Sequence, residues 1–169
     1  VFIDSNKSFW FMLYDQGCCF VEGQTLKSHL FSYKDMGIKK GKLVSSITEQ
    51  HGTAVLSFSN GTLCRIDGIH KKVLWTNPYL TQNHPNKDDG TFSFIDSRNN
   101  YWVLTNGEAY IYCSAQKKWY VGMHAFMDNQ KVAMPTRERV LIRDIATSKD
   151  GKTWIATDHL GLLVVDYAH

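Results

Sequence analysis

Ten residues from Phe2 to Phe11 (FIDSNKSFWF) return as Phe94 to Val103 (FIDSRNNYWV) at a constant offset of 92 residues. An offset of that size holds two units of about 46 residues each. The intervening copy lies where this predicts, in Val44 to Gly52, Ala54 to Leu56, Asn60-Gly61 and Leu63 to Asp67, with Val55 in the tryptophan slot. A fourth copy fills Val140 to Asp166. Its apolar runs Ile142 to Ala146, Trp154 to Thr157 and Leu162 to Val165 are separated by Ser148-Lys149-Asp150-Gly151 and Asp158-His159-Leu160-Gly161, turns in which glycine supplies a positive φ. The anchors Trp10, Val55, Trp102 and Trp154 are spaced by 45, 47 and 52 residues. Several short strands per period of about 45 residues is the pattern of β-propeller blades.

The expected fold is therefore all-β, a β-propeller of about four blades, each an antiparallel four-stranded sheet. Blade boundaries fall at about 1–33, 43–76, 91–121 and 140–169, within one propeller segment. The second strands read FWFML, YWVL and WIA, and the third strands CCFV and LLVV. Continuous apolar runs need cover on both faces, as between two neighbouring blades, whereas a sandwich strand alternates. Hairpin-length turns exclude a solenoid of parallel strands. Trp10, Trp102 and Trp154 are expected to be buried between blades. Three segments link the blades: Met36 to Gly41; Asn77 to Gly90, read as a loop for its two prolines and polarity; and Gly122 to Arg139. Blade four brings three strands and no outer one, and Val1-Phe2 and Leu162 to Val165 lack polar capping. The expectation is an excised arc of a larger propeller that packs on further propeller sequence or on another copy of itself.

Ile142-x-x-Ile145, Asp150-Gly151, Trp154-Ile155-x-Thr157, Gly161-Leu162 and Asp166 together resemble the two-component regulator propeller repeat. Repeats one, three and four carry it clearly; repeat two lacks the tryptophan and the acidic residue before the glycine, and joins by spacing. That family fills sensor ectodomains of hybrid histidine kinases in polysaccharide-degrading gut bacteria. The resemblance implies a periplasmic, non-catalytic sensing module whose partners are an oligosaccharide or other small ligand and the rest of the parent sensor protein. The kinase, its phospho-accepting histidine and a membrane helix are not in this chain.

The composition narrows the alternatives. A net charge of +3 with lysines dispersed in pairs (Lys39-Lys40, Lys71-Lys72, Lys117-Lys118) does not form a nucleic-acid footprint. No apolar run approaches a membrane span, and Val1 opens in a strand pattern without a signal peptide. Cys18, Cys19, Cys64 and Cys113 form no C-x-x-C pair, and Cys18 and Cys19 point to opposite faces of a strand. They read as small buried hydrophobes; were all four oxidised, three pairings would be open.

Ser148 to Trp154 is one residue short of the sialidase Asp-box, itself a turn device. There is no G-x-S-x-G elbow and no H-E-x-x-H helix. Asn86-Lys87-Asp88-Asp89-Gly90 lacks the alternating ligands and distal Glu of a calcium loop, and no carboxylate stands out from turn acids such as Asp4 and Asp96. No metal, cofactor or catalytic residue is expected.

The strand 2–3 turns and the links between blades emerge on one rim. They carry Asp15, Gln16 and Phe126 and the candidate ligand face: Tyr79, Asn83, His84, Asn106, His124, Arg137, Arg139, Asp158 and His159. Rings stack on sugar faces while Asn, Arg and His fix hydroxyls or acids; the plain alternative is solvated connectors. Behind the glycan sensor stand a propeller enzyme of the sialidase or lyase kind and a protein-docking scaffold. A homodimer is a further expectation.

Overall fold

The computed structural model describes residues 1–39, 43–83, 91–105 and 107–167. The chain divides into two compact units, Val1–Phe92 and Ser93–His169, each with a buried core of its own.

The first unit holds two four-stranded antiparallel sheets. Blade one runs β1 (Phe2–Ile3), β2 (Phe9–Leu13), β3 (Gly17–Val21) and β4 (Ser28–Ser32) in sequential order. Blade two runs β5 (Val44–Gln50), β6 (Thr53–Phe58), β7 (Leu63–Asp67) and β8 (Lys72–Asn77) in the same way. Registers Phe2↔Trp10↔Phe20 and Met12↔Cys18↔Phe31 put these side chains on one face of blade one. That face packs against Ala54, Leu56, Phe58, Cys64 and Ile66 of blade two in one buried core. Trp10 is tilted on Phe20 with ring centroids 4.7 Å apart. Val55 and Leu63 are buried as well, on the opposite face of blade two, so both faces of β6 are covered, as the unbroken apolar run requires.

The second unit repeats the arrangement. Blade three comprises β9 (Thr91–Ile95), β10 (Tyr101–Thr105), β11 (Glu108–Cys113) and β12 (Lys118–Val121); its first two residues precede the unit boundary. Blade four has β13 (Ile142–Thr147), β14 (Thr153–Thr157) and β15 (Leu162–Val165). Trp102, Leu104 and Ile111 of blade three share a core with Ile142, Ile145, Ile155 and Val165 of blade four.

Three of the strand 1–2 turns are built alike. Asp4 N–H donates to Ser8 O at 3.0 Å, Asp96 N–H to Asn100 O at 3.1 Å and Ser148 N–H to Lys152 O at 2.9 Å. Each turn has one left-handed residue at the same place: Lys7 (φ 62°), Asn99 (φ 61°) or Gly151 (φ 84°). In the first and third repeats the opening aspartate clamps the turn. Asp4 Oδ1 accepts from the N–H groups of Asn6 and Ser8 at 3.0 and 2.9 Å, and Oδ2 from Trp10 Nε1 at 2.9 Å. Asp96 does the same with Arg98, Asn100 and Trp102, each at 2.9 Å, and its Oδ2 also accepts from the Tyr167 hydroxyl at 2.9 Å. Repeat two replaces this loop by the two-residue turn His51-Gly52, both residues with positive φ (48° and 71°), which removes the acid's place altogether.

Two expectations need correction. The links after blades two and three are not plain loops: α1 (Tyr79–Asn83) and α2 (Met123–Asn129) lie in them. Asn77 Oδ1 accepts the Tyr79 N–H at 3.0 Å, so Asn77-Pro78 is a cap followed by proline at the first helical position. Second, Trp154 is not buried between blades but 37% exposed, against 1% and 0% for Trp10 and Trp102. Its register is nonetheless the expected one: Ala146↔Trp154↔Val164 corresponds to Phe2↔Trp10↔Phe20. Two things differ physically. Ser148 stands where Asp4 and Asp96 accept the indole N–H, and among the described residues no sheet of the second unit covers this face of blade four.

Candidate functional site

In the second unit, antiparallel order sends the β10–β11 turn, the β14–β15 turn and the segment between blades three and four to one rim. That segment leaves β12 at Gly122, whose φ of 82° turns the chain sharply. Helix α2 then docks Met123, Phe126 and Met127 into the core at i, i+3 and i+4 spacing. Phe126 meets Trp102 edge-on at 5.3 Å. At its far end the segment is pinned twice, by Ile142 N–H to Gly107 O at 3.0 Å and Asp158 N–H to Leu141 O at 3.1 Å. Between helix α2 and these anchors it crosses the rim as an irregular strap, bent at Pro135, Arg137 and Glu138.

The candidate residues of this unit gather around the strap. His124 lies 2.8 Å through Nε2 from the Thr136 carbonyl, and since a carbonyl only accepts, Nε2 carries the proton. Arg137 Nη1 reaches both carboxylate oxygens of Asp128 on α2, at 2.9 and 2.7 Å. Arg139 and His159, both exposed, line one small crevice together with Thr136, Glu138, Val140, Leu141 and Leu160. Its volume of about 30 Å³ is that of a single water, so a larger molecule would rest across the rim and not inside it. Asp158 beside His159 is held by Arg143, through an Nε bond and an Nη2 bond of 2.6 Å to the second oxygen. These hydrogen bonds, with the charges of Arg143 and His159, keep the Asp158 carboxyl below the usual carboxylate range.

The other candidates lie elsewhere. Tyr79 and Asn83 belong to α1 of the first unit, where Asn83 donates its amide to Tyr79 O at 2.9 Å. His84 and Asn106 fall outside the described residues, as does the segment Asn86 to Gly90 weighed above as a calcium loop. Among the described residues no group of three His, Cys, Asp or Glu side chains could hold a metal ion. The four cysteines are free thiols and buried. Sequence reading missed Asp128, Arg143, Thr136 and Glu138, which complete the strap's contacts. Arg143 pairs across β13 to a turn 15 residues away, and only the register makes them neighbours.

No family model matches the chain, and no curated protein does. Solved structures do. The extracellular domain described as the hybrid two-component system BT4673 of B. thetaiotaomicron is 18% identical with a TM-score of 0.57, matched over 96% of this chain and 20% of that one. A second structure of that extracellular domain, described as a one-component system, gives 12% identity and a TM-score of 0.59 over 98% and 22%. PorZ, a surface component of the type-IX secretion system of Porphyromonas gingivalis, gives 11% and 0.60 over 97% and 22%. The fold is that of β-propeller blades. The neighbours agree with the resemblance to the two-component regulator propeller repeat, and the chain spans about a fifth of the length of the propeller proteins it matches.

Proposed function

We propose that this chain is a ligand-binding sensor segment of a two-component signalling protein, working outside the cytoplasm, in the periplasm, without catalysing a reaction itself. Its four blades belong to one propeller segment, its ligand is a glycan fragment, and its partners are the rest of the parent protein and, in isolation, further copies of itself. The observation that carries this reading is the rim of the second unit, where a strap fixed at both ends presents Arg139 and His159 beside Asp158 and Arg137. Planar donors displayed along a strap docked at both ends suit hydroxyl and carboxylate recognition. Support for the signalling context comes from the extracellular domains of the hybrid two-component system with which the blades share their fold. Tyr79, Asn83, His84 and Asn106 are kept as separate ligand-binding candidates, Tyr79 and Asn83 being on α1 of the first unit.

The test is a thermal melt against a panel of acidic and neutral oligosaccharides, followed by product analysis. Binding at a hundredfold excess over Kd raises stability by about 2.7 kcal/mol. The sensor reading expects a sugar that stabilises and is recovered intact, with the shift lost in Arg139→Ala and His159→Ala while their own melts stay unchanged. Cleaved sugar would replace it by the propeller enzyme. Indifference to the whole panel would leave the docking scaffold.

A further inference from the structure

The first unit contains a polar crevice of its own. Antiparallel order sends the β1–β2 and β3–β4 turns of blade one to the same end of their sheet. The β7–β8 turn of blade two meets them there, and Asn6, Ser8, Glu22, Gly23, Gln24 and Ile69 line a cavity of about 200 Å³ between the three turns. Every wall comes from consecutive blades within one unit. The volume holds several waters but falls below the roughly 300–1,000 Å³ of a drug-sized pocket, so it has room for one small ring.

Two glycines set its shape. A side chain at Gly23 would meet the Lys7 carbonyl oxygen at 2.3 Å, and one at Gly68 would meet the Phe20 ring at 2.5 Å. Bare backbone therefore lets the β3–β4 turn lie on the β1–β2 turn, and lets the β7–β8 turn bring Ile69 up as a wall. The turns themselves are held. Asp4 clamps the N–H groups of Asn6 and Ser8, and Glu22 N–H donates to Lys27 O at 2.9 Å while Leu26 N–H donates to Glu22 O at 2.8 Å.

The polar groups of the lining keep unused capacity. Ser8 is 1% exposed; its hydroxyl oxygen accepts the Gly23 N–H at 3.2 Å, yet its own proton has no acceptor among the described residues. A buried hydroxyl donor calls for a partner. One oxygen of the half-buried Glu22 accepts from the Thr25 hydroxyl; among the described residues the other has no donor and no cation pairs with the carboxylate. The side-chain amides of Asn6 and Gln24 are likewise without protein partners there. Ile69, 47% exposed, supplies an aliphatic flank. One hydroxyl donor, one unpaired carboxylate, two amides and an apolar wall match a sugar ring, whose hydroxyls both donate and accept and whose C–H face is apolar. The carboxylate selects against an anionic sugar and for an ammonium group.

We propose that this crevice binds one neutral or amino-substituted sugar unit, with Glu22 accepting from its hydroxyl or ammonium group and Ser8 donating to a hydroxyl oxygen. It is a second site that shares no residue with the strap of the second unit.

The experiment is an amide NMR titration of the 169-residue chain with glucosamine, glucose and glucuronate, at a pH where glucosamine is protonated. The Gly23, Gln24 and Ile69 amides should shift with glucosamine at about five- to tenfold lower concentration than with glucose, and stay unmoved with glucuronate. Glu22→Gln should make glucosamine and glucose equal. Gln24→Ala, at an exposed position, should weaken both by about fivefold while its melt matches the parent. No movement with any sugar, glucuronate binding as well as glucose, a preference that survives Glu22→Gln, or undiminished binding in Gln24→Ala would each overturn the proposal. Arg139→Ala and His159→Ala should leave these shifts intact, so failure of the strap face is read apart from failure here; shifts lost in those chains would equally count against a separate site.

Discussion

Asp96 shows how much one side chain holds in this repeat. It is 3% exposed and accepts from two backbone N–H groups, the Asn100 amide, the Trp102 indole and the Tyr167 hydroxyl. The last bond ties the end of blade four to the first turn of blade three. Arg98, 4.7 Å from the Tyr167 ring centroid, closes the same knot. Asp4 makes the turn and indole contacts alone. Asp96→Ala leaves several buried donors without acceptors, so denaturant unfolding should show a loss of about 3–5 kcal/mol, against about 1–3 kcal/mol for Asp4→Ala. Equal losses would contradict the added role of Tyr167. The thiols make a second residue-scale prediction. Burial pushes Cys18 up to about 12 and Cys64 to about 11 from 9.0, so the folded state binds these protons more tightly than the unfolded state. Their contribution is complete below pH 9 and is lost as pH rises through 11 and 12. A Cys18→Ala/Cys64→Ala chain should therefore lose less stability than the parent between neutral pH and pH 11; identical alkaline slopes would argue against this.

At the scale of elements, the strands were legible because their signals are local. An apolar run bounded by Ser-Lys-Asp-Gly or Asn-Gly states its own limits, and the period of about 45 residues supplied the sheet order. The helices were missed for opposite reasons. In α1, two prolines and polar residues outweighed the Asn77-Pro78 start signal. In α2, Met123, Phe126 and Met127 carry helical spacing, but over only 7 residues, too short to read as periodicity. The burial of Trp154 was misjudged because repeat similarity reports register and not what lies beyond the sheet. That His124, Arg137, Arg139, Asp158 and His159 belong to one rim of the second unit follows from antiparallel strand order; the Arg143–Asp158 and Arg137–Asp128 pairings depend on register and on the course of the strap. Helix α2 is the element whose removal should matter most for that rim. Phe126 is fully buried against Trp102 and Tyr120, so Phe126→Ala should cost about 3–5 kcal/mol in the melt and loosen the strap. Amide exchange over residues 130–139 should rise in the same variant; unchanged protection there would separate the strap from the helix.

Across the molecule as a whole one rule holds: each tryptophan face is covered by the aliphatic face of the blade that follows it in its unit, and the blade without such cover shows its tryptophan to solvent. The indole N–H groups report on this directly. Trp10 and Trp102 are buried and donate to Asp4 and Asp96, whereas Trp154 is part exposed with Ser148 in the acid's place. Hydrogen exchange of the indole N–H signals, followed by NMR, tests the rule in one measurement. The Trp10 and Trp102 signals should persist long after the Trp154 signal has exchanged. A Trp154 signal as protected as the other two, or Trp10 and Trp102 signals that vanish at the rate of a free indole, would contradict it.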